Sequence, residues 1–285
     1  MEATRLKDKD LLRWNGYTLD FSEKTYVMGI LNLTPDSFSD GGKYADLEKA
    51  ILHSKEMIEH GADIIDVGGE STRPGAELVD LEEELLRVVP VISRLSKEID
   101  KPISIDTYKA EVARQAIEAG ASIINDIWGA KADPEMPKVA AEYEVPIILM
   151  HNRHKRDYKD LIPDMIADLM ESVEIVKAAG VKEDKIILDP GIGFAKSIVE
   201  NIEVMRNLKA FTSLGYPVLL GTSRKTFIGQ VLDLPAPERM EGTGATICLG
   251  IEKGCDIIRV HDVLEMSRMS RMMDAMIGKG GVQNR

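Results

Sequence analysis

Short apolar runs recur along this chain at Val27 to Leu33, Ile64 to Val67, Ile103 to Ile105, Ile123 to Ile127, Ile147 to Met150, Ile186 to Leu188, Val218 to Leu220 and Ile257 to Val260. They are brief and continuous rather than alternating, the pattern of strands covered on both faces. Between them apolar residues return every three or four positions, the helical period. The clearest such segment carries Leu81, Leu85, Val88, Ile92, Leu95 and Ile99 on one face, starts at Asp80 with Glu83 placed for a capping box, and contains Pro90, which predicts a kink. Leu47, Ile51, Ser54 and Ile58 share the face of another, which stops at Gly61. Further helices are predicted at Ala110 to Ala119, Pro137 to Tyr143, Met165 to Ala179, Ile198 to Leu214, Thr243 to Lys253 and Val263 to Ile277. Eight strands each followed by a helix predict an α/β fold, a closed parallel (β/α)8 TIM barrel. Ahead of it, Asn15-Gly16 between Leu11–Trp14 and Tyr17–Asp20 predicts a short N-terminal β-hairpin, about residues 11–20, suited to plugging the barrel bottom. No linker or low-complexity stretch interrupts the pattern, so residues 1–285 read as a single domain.

The spacing repeats internally. His60-Gly61-Ala62-Asp63-Ile64-Ile65-Asp66, Ala119-Gly120-Ala121-Ser122-Ile123-Ile124-Asn125 and Lys253-Gly254-Cys255-Asp256-Ile257-Ile258-Arg259 share one plan: glycine closing a helix, a strand of isoleucines, then a chemically active side chain. Polar residues stand at all eight strand ends: Asn32; Asp66 with Glu70; Asp106; Asn125 with Asp126; His151; Asp189; Ser223-Arg224-Lys225; and Arg259 with His261. Taken singly, each is equally consistent with a helix cap or a hydration site. In a barrel these ends converge on one face, and so many buried charges are most economically explained by a bound ligand. The acids and amides among them suit a heterocycle edge with adjacent N–H donors and a carbonyl. The cations, joined by Arg73, suit an anion, and those on the last two strands lie where barrels commonly hold phosphate. Asn32, Asp36 and Asp40 present the hard oxygens that magnesium or a phosphate loop uses, though an ordinary polar turn has the same composition.

Composition narrows the partners. A formal net charge of −12 argues against a nucleic-acid surface, and 44% hydrophobic residues suffice for a large core. The N-terminus has no apolar signal core and no stretch approaches membrane-spanning length, so a cytoplasmic protein with no membrane partner is expected. Cys248 and Cys255 lack metal-ligand spacing and read as reduced thiols. Gly191-Ile192-Gly193 is too slight to indicate a dinucleotide. His151 and His154 lack a third ligand and read as part of a solvent-facing loop. Met266, Met269, Met272, Met273 and Met276 form a stripe that fits either barrel packing or a dimer face.

Asn32-Leu33-Thr34-Pro35-Asp36-Ser37-Phe38-Ser39-Asp40-Gly41-Gly42, Gly69-Glu70-Ser71-Thr72-Arg73-Pro74-Gly75, Ser104-Ile105-Asp106-Thr107, Asn125-Asp126, Asp189-Pro190-Gly191-Ile192-Gly193-Phe194 and Gly221-Thr222-Ser223-Arg224-Lys225 resemble the dihydropteroate synthase family over nearly the whole chain. The resemblance implies a folate-biosynthesis transferase that condenses (7,8-dihydropterin-6-yl)methyl diphosphate with 4-aminobenzoate, giving 7,8-dihydropteroate and diphosphate. It places Asp106, Asn125, Asp189 and Lys225 on the pterin, with Ile127, Met150 and Phe194 around it. Arg259 would lie over the ring and reach the diphosphate, shared with Asn32, Arg73 and His261. Magnesium would sit between diphosphate and Asn32 with Asp36. Thr72, Arg73, Pro74, Lys225 and Thr226 would border the aminobenzoate, where sulfonamides compete. Asp106, Lys225 and Arg259 would be the catalytic residues, and the family's habit implies a homodimer. Ala195 and Thr226 replace the usual glycine and serine, and Asn152-Arg153-His154 departs from the usual loop after the fifth strand. A pterin-dependent methyltransferase or a non-catalytic pterin binder on the same barrel are the rival readings.

Overall fold

Strand periodicity decides what this barrel encloses. The computed structural model describes residues 10–33, 42–71 and 78–280. After an antiparallel hairpin, β1 (Leu11–Trp14) and β2 (Tyr17–Asp20), come β3 (Tyr26–Asn32), α1 (Gly42–Glu59), β4 (Ile64–Gly68), α2 (Leu81–Leu95), β5 (Ile103–Asp106), α3 (Ala110–Ala119), β6 (Ile123–Asp126), α4 (Met136–Glu142), β7 (Ile147–Met150) and α5 (Leu161–Ala178). The second half runs β8 (Ile186–Asp189), α6 (Ile198–Arg206), α7 (Leu208–Thr212), β9 (Leu219–Leu220), α8 (Thr226–Leu232), α9 (Met240–Glu252), β10 (Ile257–Val260) and α10 (Val263–Ile277). β3 to β10 form one parallel sheet in the order β8-β7-β6-β5-β4-β3-β10-β9. A parallel bridge between Leu188 and Val218, with Leu188 N donating to Pro217 O at 2.9 Å, joins the two ends into a barrel.

Side chains alternate across each strand, so a barrel interior is stacked in layers two residues apart. The lower layer is apolar: Met28, Ile64, Ile123, Ile148, Ile187, Leu219 and Ile257 cluster inside, and the hairpin's Leu12, Trp14 and Leu19 with Phe21 pack onto them. The hairpin therefore closes the bottom. Its turn is left-handed at both central residues, Asn15 at φ 42° and Gly16 at φ 84°, as a tight twisted hairpin demands. Burying each of those large side chains contributes roughly 1.5–3 kcal/mol. The outward-facing Val27, Ile65, Ile105, Ile124, Leu149, Leu188 and Ile258 meet the helices in a second, larger cluster.

Several elements differ from expectation at their ends. Asp80 accepts from Glu83 N at 2.8 Å, but the Glu83 carboxylate pairs with Arg87 instead of completing a capping box. α2 ends at Leu95, short of Ile99, because Ser96 caps it and bonds the carbonyl of Ala119 beside α3. The predicted helix over Ile198 to Leu214 divides at Asn207, whose side chain donates to Glu203 O and competes with the helical ladder. α8 has no counterpart in the hydrophobic pattern, since Val231 and Leu232 are exposed. The methionine stripe splits: Met266 is fully buried and Met269 and Met273 pack on the core, while Met272 and Met276 are exposed.

Candidate active site

Two residues beyond the apolar layer, toward the C-terminal ends of the strands, the interior becomes polar. Asp66, Asn125, Met150, Asp189 and Arg259 each follow a lower-layer residue by two positions, and so point inward by period alone. The ladder places Gly68 opposite Asp106 and Asp106 opposite Asn125, which brings these strands' tips into one neighbourhood.

At its centre is a shared guanidinium. Arg259 donates from Nε to Asp66 Oδ2 and from Nη2 to Asp106 Oδ2, both at 2.6 Å, and Asn125 Nδ2 reaches Asp66 Oδ2 at 3.2 Å. Asp66 is 0% exposed and Asp106 5%. One guanidinium is shared by two buried carboxylates, with the Lys225 charge acting on Asp106 from farther away. Burial, eased by Arg259 and aggravated by Asp66, accordingly raises Asp106 to about 7. Arg259 is itself raised: burial opposes its charge, but Asp66 and Asp106 more than offset that, so it stays protonated. Asp66 Oδ1 and Asp106 Oδ1 are buried acceptors with no hydrogen-bond partner among the described residues. Such atoms call for donors from a ligand.

The opposite wall is the loop after β8. Asp189 accepts from Gly191 N at 2.7 Å, and burial raises its carboxyl despite that bond. Two glycines shape this turn. Gly191 (φ +64°) passes so close to β7 that a Cβ would lie 2.0 Å from the His151 carbonyl oxygen, and at Gly193 (φ +89°) a Cβ would meet Lys225 Cδ at 2.9 Å. We expect Gly191→Ala to lose about 2–5 kcal/mol of stability, from backbone strain plus overlap with an immobile carbonyl. A urea midpoint unchanged from wild type would refute this. The turn lays the Phe194 ring against Lys225, whose Nζ stands 4.2 Å from the ring centroid. Ile127 and Met150 are buried, and Thr226 is exposed at the start of α8.

Other predicted residues sort differently. Asn32, at the tip of β3, and Asp106 both border Gly68: a Cβ there would lie 3.8 Å from Asn32 Oδ1 and 3.7 Å from Asp106 Oδ2. Ser223 Oγ accepts from His261 N at 3.1 Å and lies 2.9 Å from His261 Nδ1, fixing the ring at the end of β10. Arg224 turns away to Asp262 through Nε and Nη2. Glu70 joins Lys109 and Tyr108, with Glu84 on the same lysine. Asp126 has outward parity and caps the turn through Trp128 N and Ala130 N, both at 2.8 Å. Asp36, Asp40, Thr72, Arg73 and Pro74 lie outside the described residues.

His151 is not on a solvent-facing loop. It is 2% exposed: its N–H continues the ladder with β8 by donating to Asp189 O at 2.8 Å, and its ring lies between Asp168 and Lys196. Burial, then the adjacent Lys196 charge, lowers His151 to about 3; burial lowers Lys196 to about 7. Sequence reading missed Lys196 and Asp168 altogether. The one available signal for Lys196 was a cation embedded in an otherwise glycine-rich and apolar turn. Among the described residues, no group of three or more His, Cys, Asp or Glu side chains could hold a metal ion, and no helix is long and apolar enough to cross a membrane.

The profile of the pterin binding enzyme family matches residues 28–261. The chain is similar to the dihydropteroate synthase of Bacillus subtilis (strain 168), 68% identical over 266 residues, 93% of each protein. Among solved structures, it is similar to Clostridium difficile dihydropteroate synthase in the presence of pteroic acid (TM-score 0.89, 52% identity, 90% of this chain and 98% of that one). It also resembles Xanthomonas albilineans dihydropteroate synthase with 4-aminobenzoic acid (TM-score 0.90, 39% identity, 94% and 98%).

Proposed function

Since the chain belongs to the pterin-binding enzyme family, in its dihydropteroate synthase branch, we propose that the buried Asp66–Arg259–Asp106 cluster is the floor of its pterin site. The reaction joins (7,8-dihydropterin-6-yl)methyl diphosphate to 4-aminobenzoate, giving 7,8-dihydropteroate and diphosphate. The observation that carries the site reading is the pair of buried acceptors without a partner among the described residues, Asp66 Oδ1 and Asp106 Oδ1, beside Arg259 and Asn125. Fused pterin rings present N–H donors next to carbonyl and ring-nitrogen acceptors, the complement of a floor that offers carboxylates, an amide and a cation.

In this reading Asp106, Asn125 and Asp189 accept from and donate to the pterin edge, Lys225 donates to it, and Ile127, Met150 and Phe194 pack its faces. Arg259 reaches the diphosphate together with Asn32, Arg73 and His261, while Thr72, Arg73, Pro74, Lys225 and Thr226 border the aminobenzoate, where a sulfonamide would compete. The amine nitrogen attacks the pterin methylene carbon as the carbon–oxygen bond to diphosphate breaks, and the amine gives up its proton. Positive charge developing on the methylene is stabilised by Asp106 and Asp189, so no protein nucleophile is required. Magnesium usually takes one or two hard protein oxygens with the rest from phosphate and water, and the Asn32 amide and Asp36 carboxylate offer oxygens of that kind. Asn32 and Asp36 would hold it, and when bound it would neutralise the departing phosphate oxygens.

We further propose that residues 1–285 act as one unit in the cytoplasm, in keeping with two free cysteines, and that the protein is a homodimer. Exposed Met272, Met276 and Ile277 on α10 with Leu249 on α9 support a face for that contact.

Diphosphate release measured with and without 4-aminobenzoate tests the function: release should need both substrates, whereas a methyltransferase or a silent binder would give none in either arm. In the same series Lys225→Ala should weaken pterin binding at least tenfold, the scale of one lost charged hydrogen bond. Wild-type affinity by calorimetry would remove Lys225 from the site.

A further inference from the structure

Lys196 is buried in the turn between β8 and α6. Its Nζ lies 2.9 Å from Gly191 O, 3.0 Å from Phe194 O and 3.0 Å from His151 Nδ1. When Lys196 is protonated its three N–H donors match these three acceptors, and the assignment of the chain that follows is for that form. With Lys196 donating to His151 Nδ1, the neutral ring carries its proton on Nε2, which lies 3.0 Å from Asp168 Oδ2 and donates to it. Asp168 also accepts from Arg153 Nε at 2.5 Å and Nη2 at 3.2 Å. The line Lys196–His151–Asp168 thus connects the loop after β8 to the end of β7 and to α5.

What hangs from Lys196 is the wall of the pterin site. Gly191, whose carbonyl it holds, is the residue whose N–H orients Asp189, and Phe194, whose carbonyl it also holds, carries the ring beneath Lys225. Among the described residues neither carbonyl has another charged donor; Gly191 O also accepts from Phe194 N at 3.1 Å within the turn. We propose that Lys196 is a positioning residue for pterin recognition, clamping the Gly191–Phe194 turn to His151 so that the Asp189 carboxylate and Phe194 ring face the pterin in register. The proposal rests on the site reading above and adds to it a residue that touches neither substrate.

The test grades the donors: Lys196→Gln keeps two N–H groups for the two carbonyls, and Lys196→Met keeps none. KM for the pterin diphosphate should rise about threefold in the first and tenfold or more in the second, following the usual worth of buried hydrogen bonds. KM for 4-aminobenzoate should stay within about twofold of wild type, because its proposed contacts lie on other loops. An unchanged pterin KM in either folded variant, or a parallel rise in both constants, would overturn the proposal. Should the methionine variant not fold, the glutamine variant decides by the same comparison. Lys225→Ala, run alongside, separates the two levels: if it binds pterin as wild type does, the assumed site falls and takes this inference with it.

Discussion

Arg259→Ala is expected to lower turnover about a hundredfold and, independently, to destabilise the fold by about 3–5 kcal/mol. The catalytic part follows from losing one preorganised charge at the departing diphosphate, a loss worth about 2.7 kcal/mol in the transition state. The stability part follows from what stays behind: Asp66 and Asp106, both buried, would face each other without the guanidinium that each now binds at 2.6 Å. The Asp106 carboxyl would then be raised further, since the Arg259 charge that now eases it is gone. A group whose pKa is raised on folding contributes stability at low pH and loses it as pH climbs through the folded value. The defect of Arg259→Ala should therefore grow from pH 5 to pH 8. Thermal unfolding across that range checks the sign, and single-turnover kinetics at a pH where the variant is folded isolates the chemical loss. Wild-type single-turnover rates would exclude Arg259 from the reaction.

The pairing just described shows which features were legible in the chain. Asp66, Asn125, Asp189 and Arg259 each end a run of isoleucine or leucine, and strand parity then determines that they point inward. A barrel needs only that parity and the order of elements, so the eight strands and the hairpin plug were readable from local patterns. What parity cannot convey is which tip touches which. That Arg259 is shared between Asp66 and Asp106, across separations of 193 and 153 residues, is a product of barrel closure. The same limit hid the Lys196–His151–Asp168 line, where three loop and helix residues without a shared motif meet through tertiary packing. It also misplaced Asp126, which adjoins Asn125 in sequence and for that reason faces the other way. α8 escaped because its seven residues bury only two adjacent apolar side chains, Phe227 and Ile228, too short a run to show a helical period, and Arg239 packs over Gly229 and bonds Leu234 O to complete its seat.

Asp106→Asn is the second substitution from which a large effect is expected, and its value lies in the pH profile. With burial raising Asp106 to about 7, the free enzyme holds this carboxyl mainly protonated in mild acid and ionised in mild alkali. If the ionised form is what accepts from the pterin and faces the developing cation, kcat/KM for the pterin diphosphate should fall about tenfold per pH unit below that value and level off above it. Asparagine has similar shape but turns one acceptor into a donor, set against the Arg259 Nη2 that Asp106 now receives. The variant should lie about a hundredfold below the wild-type plateau, and its profile should be flat across the window in which the wild type bends. Stability should move the opposite way. The raised carboxyl contributes most below its ordinary value near 3.8 and loses that contribution as pH rises through about 7. Asparagine has no such titration, so the difference in Tm should shift in the variant's favour between pH 4 and pH 8. The two measurements together are stringent, because a residue that only braced the barrel would bend the stability curve and leave the shape of the rate profile alone. A wild-type profile without a bend near neutrality, or a variant that keeps the bend, would remove Asp106 from the chemistry and assign the titration to another group.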